Sequence, residues 1–288
     1  MKENYKGILY AILSSVAFGL MPIFAKVAYG NGSNPTTVLF YRFLISAIIL
    51  FIYLKIKKVE IKIDKRSAWI LILIGFIGYT VTTQTLFMSY NYLGVGFATT
   101  LHFIYPAVVC VIGFFFLKEK ISKRKLIALI LAGCGVYSLV AFENNTISAM
   151  GVILAISSGI TYGLNVILLG IKALKHIDNR VRTMYVSLGA FAGMLIYGIY
   201  NNSIIYELNF KLLLCYIGIA IISTICSIVL LLKAMEIIGA GTASILSTFE
   251  PIVSIILGII IFGEAFTVAL FIGAIFIIGS TVLLVKDK

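Results

Sequence analysis

The chain has 288 residues and a net charge of +12; 61% of its residues are apolar and 12% are charged. Soluble globular domains carry about 25% charged residues, so this composition excludes a soluble protein and predicts an all-α integral membrane protein. The positive charge does not indicate a nucleic-acid partner, because basic loops beside anionic lipids account for it.

Apolar runs of about 18 residues or more, each long enough to cross a bilayer, recur along nearly the whole sequence. They predict ten transmembrane helices joined by mostly short connections, numbered here as predicted helices 1 to 10. The predicted ranges are 7–29, 35–54, 68–90, 95–117, 125–142, 149–171, 182–200, 211–233, 240–262 and 266–285.

Lys and Arg residues are concentrated on one side of these helices. Nineteen of the 23 fall at the N-terminus, in the connections after predicted helices 2, 4 and 6, or in the C-terminal tail. This is the positive-inside distribution, and it predicts a multi-pass protein of the cell membrane with cytoplasmic N- and C-termini.

The second half of the sequence repeats the first. Positions in the first half match positions 144 or 145 residues later, either because the two residues are identical or because they occupy the same place in a shared motif. Such an internal repeat in an apolar chain is typical of transporters that bind substrate between two copies. Matching pairs are Gly7 and Gly151, Gly19 and Gly163, Tyr105 and Glu250, Pro106 and Pro251, and Glu119 and Glu264.

The basic charge also indicates how the two copies are oriented. The connection after predicted helix 2 has six Lys or Arg residues, whereas its counterpart after predicted helix 7 has one. An odd number of helices in each copy turns the second copy upside down and removes charge from its equivalent connections. The sequence therefore predicts a 5+5 inverted-topology repeat, with copies at 1–143 and 144–288.

Predicted helices 1 and 2 contain a proline and two cations. Pro22 removes a backbone N–H, which predicts a kink in predicted helix 1. Lys26 and Arg42 can attract an anionic group of a substrate. Alternatively, they anchor the outer ends of their helices, which is the interpretation we favour for Arg42.

Polar side chains at helical spacing predict a wet face on predicted helix 3. The alternative is that they join helices by hydrogen bonds, as Ser and Thr often do in membranes. With residues of predicted helices 6 and 8, they predict a moderately polar cavity bordered by aromatic rings. The candidate residues are Thr80 and Gln84 on predicted helix 3, Tyr162 and Asn165 on predicted helix 6, and Ser223 on predicted helix 8.

Predicted helices 4 and 9 each contain a central proline. Pro106 and Pro251 are expected to free the carbonyls of His102 and Ser247. Free carbonyls are tolerated in a membrane where they face protein or a water-filled cavity, so these helices are expected to line the cavity and bend. A static packing kink is the alternative. His102 can relay a proton or bind a carboxylate, and a hydrogen-bonded core histidine is equally compatible.

Glu250 is the one acidic residue predicted at mid-membrane depth, where ionisable groups usually mark functional sites. Its counterpart in the first copy is Tyr105, and Ser247 extends the polar face of predicted helix 9. We expect Glu250 to bind a substrate amine or a proton. The alternative is a permanent ion pair with Lys26 or Arg42.

The four cysteines all fall within predicted helices, and none forms a Cys-x-x-Cys pair or has a nearby His at ligand spacing. We therefore expect them to be small reduced core residues. No metal site and no cofactor are predicted. The residues are Cys110, Cys134, Cys215 and Cys226.

The chain resembles the EamA-like branch of the drug/metabolite transporter (DMT) superfamily over nearly all of its length. The resemblance implies a ten-helix inverted-repeat transporter with alternating access to a central cavity lined mainly by predicted helices 1, 3, 4, 6, 8 and 9. It also implies, in many members, export of amino acids or related metabolites. One departure is Lys118, where the second copy has Gly263. The resemblance rests on Phe18-Gly19 and Lys26, on Tyr41-Arg42-Phe43, and on the spacings Pro106…Glu119 and Pro251…Gly263-Glu264.

Other function classes fit the sequence less well. Intramembrane proteolysis needs paired aspartates or a Ser–His arrangement within the spans, but Asp64, Asp178 and Asp287 lie in loops or tails, so no enzyme is predicted. A channel would need rings of polar residues or a re-entrant filter, and neither is visible in the sequence. The open alternatives are a transporter of another small solute (a nucleotide sugar, vitamin or cationic drug) and a non-transporting membrane scaffold or sensor.

The mixture of one carboxylate, nearby cations and neutral polar groups suits a zwitterion. We expect a small neutral amino acid or related metabolite, moved outward, with Glu250 as the candidate group for proton coupling. The expected partners are this small-molecule substrate, membrane lipid and protons, and no nucleic acid. The chain is expected to be a monomer or homodimer.

Overall fold

The computed structural model describes residues 2–89, 92, 98, 101–116, 118, 122–138, 148–262 and 268–285, and within these ranges it contains helices and no strand. Glu119, Gly263, Glu264 and Asp287 lie outside the described residues. The expected helical membrane fold is confirmed at this level. Seven helices of the described chain are long and apolar enough to cross a membrane, namely Asn4–Gly30, Pro35–Ile56, Lys65–Ser89, Ala149–Leu169, Asn179–Tyr200, Phe210–Ile238 and Ala240–Ile261.

We number the α-helices of the described ranges in chain order. Several of them are consecutive pieces of one longer helix. They are α1 (Lys2–Gly19), α2 (Met21–Gly30), α3 (Pro35–Ile56), α4 (Lys65–Leu73), α5 (Thr80–Ser89), α6 (Tyr105–Phe116), α7 (Lys123–Ser138), α8 (Ala149–Leu169), α9 (Asn179–Tyr200), α10 (Phe210–Ala220), α11 (Ser227–Ile238), α12 (Ala240–Leu246), α13 (Phe249–Phe262) and α14 (Val268–Val285).

Two helices begin three residues earlier than the hydrophobic pattern predicts, because an aspartate caps each one. Asp64 accepts a hydrogen bond from the Ser67 backbone N–H at 2.8 Å, and this bond lowers the pKa of Asp64 below its ordinary value. Asp178 caps α9 in the same way. As a result Arg182, which is the first residue of predicted helix 7, lies in the fourth position of α9 and is only 1% exposed.

The prolines mark helix starts rather than kinks in continuous helices. Pro22 is the second residue of α2, which follows a break at Leu20. Pro106 is the second residue of α6, and Pro251 is the third residue of α13, which follows a turn at 247–248. A proline is tolerated in the first helical turn because its missing N–H would have no partner there.

A short π-helical segment interrupts one long helix of each copy. Ile74–Tyr79 separates α4 from α5, and Ile221–Cys226 separates α10 from α11. A π segment adds a residue to the turn and so changes which side chains face a neighbouring helix. Such segments are frequent at functional sites.

Contacts between the two halves are exchanged in pairs. Helix α1 packs on α11 and α13, while α8, its counterpart in the second half, packs on α5 and α6. Helices α3 and α9, which correspond to each other, pack together, and so do α7 and α14. The same symmetry holds for individual glycines: a Cβ added to Gly19 would lie 3.0 Å from the Glu250 carbonyl oxygen, and one added to Gly163 would lie 3.3 Å from that of Tyr105.

The corresponding helices α3 and α9 run in opposite directions. At one end, the Asn34 amide before α3 donates to the Ser203 carbonyl after α9 at 2.7 Å. At the other end, Arg180 in the first turn of α9 donates to the Tyr53 hydroxyl in the last turn of α3 at 3.3 Å. The start of each helix therefore lies beside the end of its counterpart.

Candidate functional site

Six polar side chains converge inside the bundle, and we call this cluster the polar centre. The Tyr162 ring is its hub, with ring centroids 4.7 Å from Tyr105, 5.3 Å from His102 and 6.3 Å from Tyr79. Five of the six members are residues that the sequence singles out, and they come from both copies. The polar centre comprises Arg42, Tyr79, His102, Tyr105, Tyr162 and Glu250.

Arg42 is 3% exposed, so the prediction that it reaches the outer end of its helix is wrong. Its Nε donates to Thr224 Oγ1 at 2.7 Å, one Nη donates to the Met21 sulfur at 2.9 Å, and the other donates to the Ser223 carbonyl at 3.4 Å. Its guanidinium also lies 4.9 Å from the centroid of the Phe43 ring. All of these partners are neutral.

Glu250 is the second residue of α13, where the positive end of the helix dipole favours a carboxylate. It is surrounded by protein and interacts electrostatically with Arg42, Tyr105 and Tyr162. Part of its surface nevertheless stays accessible. Glu250 is therefore deep in the bundle without being fully buried, which fits a residue that meets a ligand.

The two charges of the polar centre are close without forming an ion pair. Among the described residues, ion pairs join Arg180 to Asp178 and Arg182 to Glu236, and neither Arg42 nor Glu250 has an opposite charge within 4.0 Å. The alternative interpretation, in which Glu250 serves only as a permanent partner of Arg42, therefore has no support in this structure. Each charge keeps the capacity to bind an external group.

His102 is 8% exposed, and its Nδ1 lies 2.9 Å from the Ser158 hydroxyl. Its ring also packs against Tyr105 at a centroid distance of 5.6 Å. The backbone carbonyl of His102 lies directly against Gly159 of α8, where a Cβ would overlap it. These contacts match the interpretation of His102 as a hydrogen-bonded core histidine that forms a wall of the polar centre.

Pro251 does not free the Ser247 carbonyl as expected. The Glu250 backbone N–H donates to this carbonyl at 3.0 Å, because the turn before α13 brings residues three apart into hydrogen-bonding distance. The Ser247 hydroxyl donates to the Ala243 carbonyl at 3.1 Å and lies close to the Tyr105 hydroxyl. Ser247 therefore contacts the polar centre through Tyr105.

Three predicted cavity residues face other helices instead. Gln84 contacts the Met194 sulfur of α9 at 3.5 Å, and Thr80 lies against Gly193 of the same helix. Asn165 donates to Thr82 at 3.1 Å and so joins α8 to α5. The side chains of Gln84 and Asn165 join neighbouring helices and Thr80 packs on one, which agrees with the alternative stated for the polar face of predicted helix 3.

Lys26 lies on α2 with an exposed side chain, and so differs from the buried Arg42. Ser223 is placed beside the polar centre, where its carbonyl accepts from Arg42. Its own hydroxyl is buried without a hydrogen-bond partner among the described residues. A buried hydroxyl beside a cation with neutral partners is a further candidate ligand-binding group.

Sequence reasoning missed Tyr79, Thr224 and Glu236. Tyr79 ends one π segment and is 3% exposed, and Thr224 lies inside the other and is fully buried. No sequence signal places π segments, so neither residue could be assigned to the cavity. Glu236 was missed because predicted helix 8 ends at 233, whereas α11 continues to Ile238.

The cysteines divide into two pairs. Cys110 and Cys215 are buried, as expected for core residues, whereas Cys134 and Cys226 are exposed on the outer surface of the described bundle. Apolar helices that face lipid have no polar side by which burial could be predicted. This is why the sequence assigned all four to the core.

The sequence profile of the EamA-like transporter family matches residues 5–141 and again residues 149–286. The chain is 27% identical to the uncharacterized transporter YetK of Bacillus subtilis over 86% of this chain and 77% of YetK. It is 23% identical to the uncharacterized inner membrane transporter YicL of Salmonella typhimurium over 100% of this chain and 98% of that protein. A crystal structure that is 12% identical shares the fold, with a TM-score of 0.83 over 96% of this chain and 95% of the other.

Proposed function

The chain belongs to the EamA-like transporter family and is a multi-pass membrane transporter, and we propose that it exports small neutral amino acids or related metabolites. The observation that carries this proposal is the separation of Arg42 and Glu250, which lie in one cluster without neutralising each other. A zwitterion offers a partner to each of them.

Each charged group of the substrate would meet the opposite charge of the polar centre. Its carboxylate would meet the guanidinium of Arg42 and the Ser223 hydroxyl, and its ammonium would meet Glu250. An arginine suits a carboxylate because its fork of N–H donors matches the two oxygens. Tyr105 and Tyr162 would border the remainder of the substrate, which favours a neutral side chain of modest size.

The charge balance argues against the other solutes. A nucleotide sugar would need several cations to offset its phosphates, whereas Arg42 is the one cation of the polar centre. A hydrophobic cation would leave Arg42 buried beside a positive ligand, which is unfavourable. The polar centre as described has one cation and one carboxylate, and that ratio suits a zwitterion.

We propose a ten-helix, 5+5 inverted repeat with copies at 1–143 and 144–288 and cytoplasmic termini. The opposite directions of α3 and α9 and the exchanged contacts of α1 and α8 support it. Access would alternate by movement of the copies around the polar centre. The breaks before α6 and α13 are the positions at which the helices could bend, and Glu250 would carry a coupled proton.

The direct test is flux of labelled amino acids in proteoliposomes, with and without a pH gradient. Glu250→Gln should lower transport about 10- to 100-fold, since a hydrogen bond to a charged group contributes roughly 1.5–3 kcal/mol. Glu207→Gln, which removes an exposed carboxylate, is the matched control and should transport normally.

Two results would count against the assignment. Normal flux through Glu250→Gln at every pH would show that Glu250 neither binds substrate nor couples protons. A thermal-shift response to phosphorylated or cationic ligands, with none to any amino acid, would exclude the proposed substrate class. An unchanged apparent Tm for Glu250→Gln would establish that lost flux is not lost folding.

A further inference from the structure

A cavity that contains no residue of the polar centre lies at the end of the bundle that carries the basic connections. Its volume is about 550 Å³. Three parts of the chain that are distant in sequence meet around it: the end of α6 with Lys118, the connection between α8 and α9, and the junction of α11 with α12. We call it the basic-end cavity.

The basic-end cavity carries an excess of positive charge. Its described lining includes Lys118, Lys172, Lys175 and Arg182, with Glu236 as the acidic member. The first two lysines come from different copies of the repeat. Because Arg182 and Glu236 form an ion pair, the three lysines give the described lining its net positive charge.

The ion pair between Arg182 and Glu236 is reinforced by further hydrogen bonds. The Arg182 guanidinium forms an ion pair with Glu236 and also donates to the carbonyls of Ile177 at 3.1 Å and Leu169 at 3.3 Å. Asn179 donates to the second oxygen of Glu236 at 3.2 Å. The buried guanidinium of Arg182 and the partly exposed carboxylate of Glu236 are thus paired, and together they add no net charge to the cavity lining.

The rest of the lining is apolar. Leu169, Leu232 and Met235 form one wall, and Phe116, which is 78% exposed, borders the opening. A pocket with three lysines beside an apolar wall and the exposed Phe116 ring matches an amphipathic anion. Basic pockets between transmembrane helices are known to bind lipid head groups.

We propose that the basic-end cavity binds the phosphate head group of an anionic phospholipid, whose chain lies along Phe116. The phosphate would interact with Lys118 from the first copy and with Lys172 and Lys175 from the second. The lipid would thereby hold together the ends of α6, α8 and α11, so its binding should stabilise the folded protein. This site does not depend on which solute the polar centre binds.

The experiment measures the apparent Tm of the detergent-purified protein with three additives: phosphatidylglycerol, phosphatidylcholine, and inorganic phosphate at matched ionic strength. We expect phosphatidylglycerol to raise the Tm by about 3 °C or more, because a ligand that binds only the folded state stabilises it. Phosphatidylcholine and inorganic phosphate should have smaller effects.

The variants separate the cavity from general surface charge. Lys118→Gln, Lys172→Gln and Lys175→Gln together should remove most of the phosphatidylglycerol response. The matched control is Lys57→Gln, Lys58→Gln and Lys62→Gln, which removes the same charge from an exposed connection at the same end. This control should keep the response. The three control lysines are absent from the cavity lining.

An equal loss in both triple variants, or an equal response to both lipids, would overturn the site. An equal response to inorganic phosphate would overturn the assignment to a lipid. Lys172→Gln alone, at an exposed position in a short 3-10 helix, provides a milder variant in case the triple variant does not purify. Its phosphatidylglycerol response must fall below that of the wild type, and an unchanged response would contradict the proposal.

Discussion

Arg42 and Thr224 illustrate how a single contact can define a binding group. A buried guanidinium is unfavourable unless it is paired and hydrogen-bonded. Thr224 Oγ1 accepts from Arg42 Nε at 2.7 Å and itself donates to the Ile219 carbonyl five residues earlier at 3.0 Å. The π segment thus fixes the hydroxyl, and the hydroxyl fixes the guanidinium. The remaining donors of Arg42 stay available for an anionic group.

Thr224→Val keeps the shape of this side chain and removes the acceptor. We expect the KM for the transported amino acid to rise about tenfold, since Arg42 loses one charge-assisted hydrogen bond of roughly 1.5–3 kcal/mol. Flux at saturation should change less. Thr85→Val is the matched control, because Thr85 bonds only within its own helix, to Val81 at 2.7 Å and to Thr82 at 3.2 Å. A fall in flux at unchanged KM would contradict a positioning role for Thr224.

At the scale of the helices, glycines decide how closely neighbouring elements approach. A Cβ at Gly189 of α9 would overlap the Ile72 carbonyl of α4, and one at Gly193 would lie 2.7 Å from the Phe76 carbonyl. The Gly-x-x-x-Gly pair therefore brings two backbones together, as such pairs commonly do in membranes. At Gly133 of α7, by contrast, an added Cβ would meet no described atom within 4 Å.

Gly189→Ala should therefore destabilise the protein by about 1–3 kcal/mol, the usual effect of overpacking. Gly133→Ala is the control and should be neutral or stabilising by up to about 1 kcal/mol, the helix-propensity difference between the two residues. Apparent Tm values measured in one detergent compare them. Equal Tm values for both variants would show that the α4–α9 contact is looser than described.

The sequence predicted the positions of the apolar helices better than their first residues, their bends or the side chains that face the polar centre. Hydrophobicity located the seven long apolar helices of the described residues, but the capping residues Asp64 and Asp178 determined two of the starts. The π segments rotate side chains in a way that no periodicity shows, so Thr80 was assigned to the cavity while Tyr79 was not. Glu250 and Arg42 were identifiable because charge inside an apolar helix is rare. The contacts of Arg42 with Thr224 and Ser223 could not be foreseen, because they depend on the packing of α3 against the second copy.

At the scale of the whole molecule, the two copies share their interfaces rather than forming separate domains. α1 packs on the second copy, and α8 packs on the first. The polar centre draws Arg42 and Tyr105 from one copy and Tyr162 and Glu250 from the other. A movement of one copy against the other would therefore change the spacing of the two charges. In the proposed mechanism, such a movement would link substrate binding to access.

The proposed inverted repeat predicts which residues lie on which side of the membrane. Lys57 follows α3 and Asn202 follows α9, and both are exposed. Because α3 and α9 run in opposite directions, cysteines at these two positions should react with an impermeant maleimide from opposite sides. The positive-inside rule places Lys57 in the cytoplasm, so in intact cells only the cysteine at Asn202 should be labelled. The background should lack Cys110, Cys134, Cys215 and Cys226, and a cysteine at the fully buried Ala190 should stay unlabelled until denaturation. Labelling of both exposed positions from the same side would exclude the 5+5 inverted topology, whereas labelling of Lys57 alone would keep the repeat and reverse its orientation.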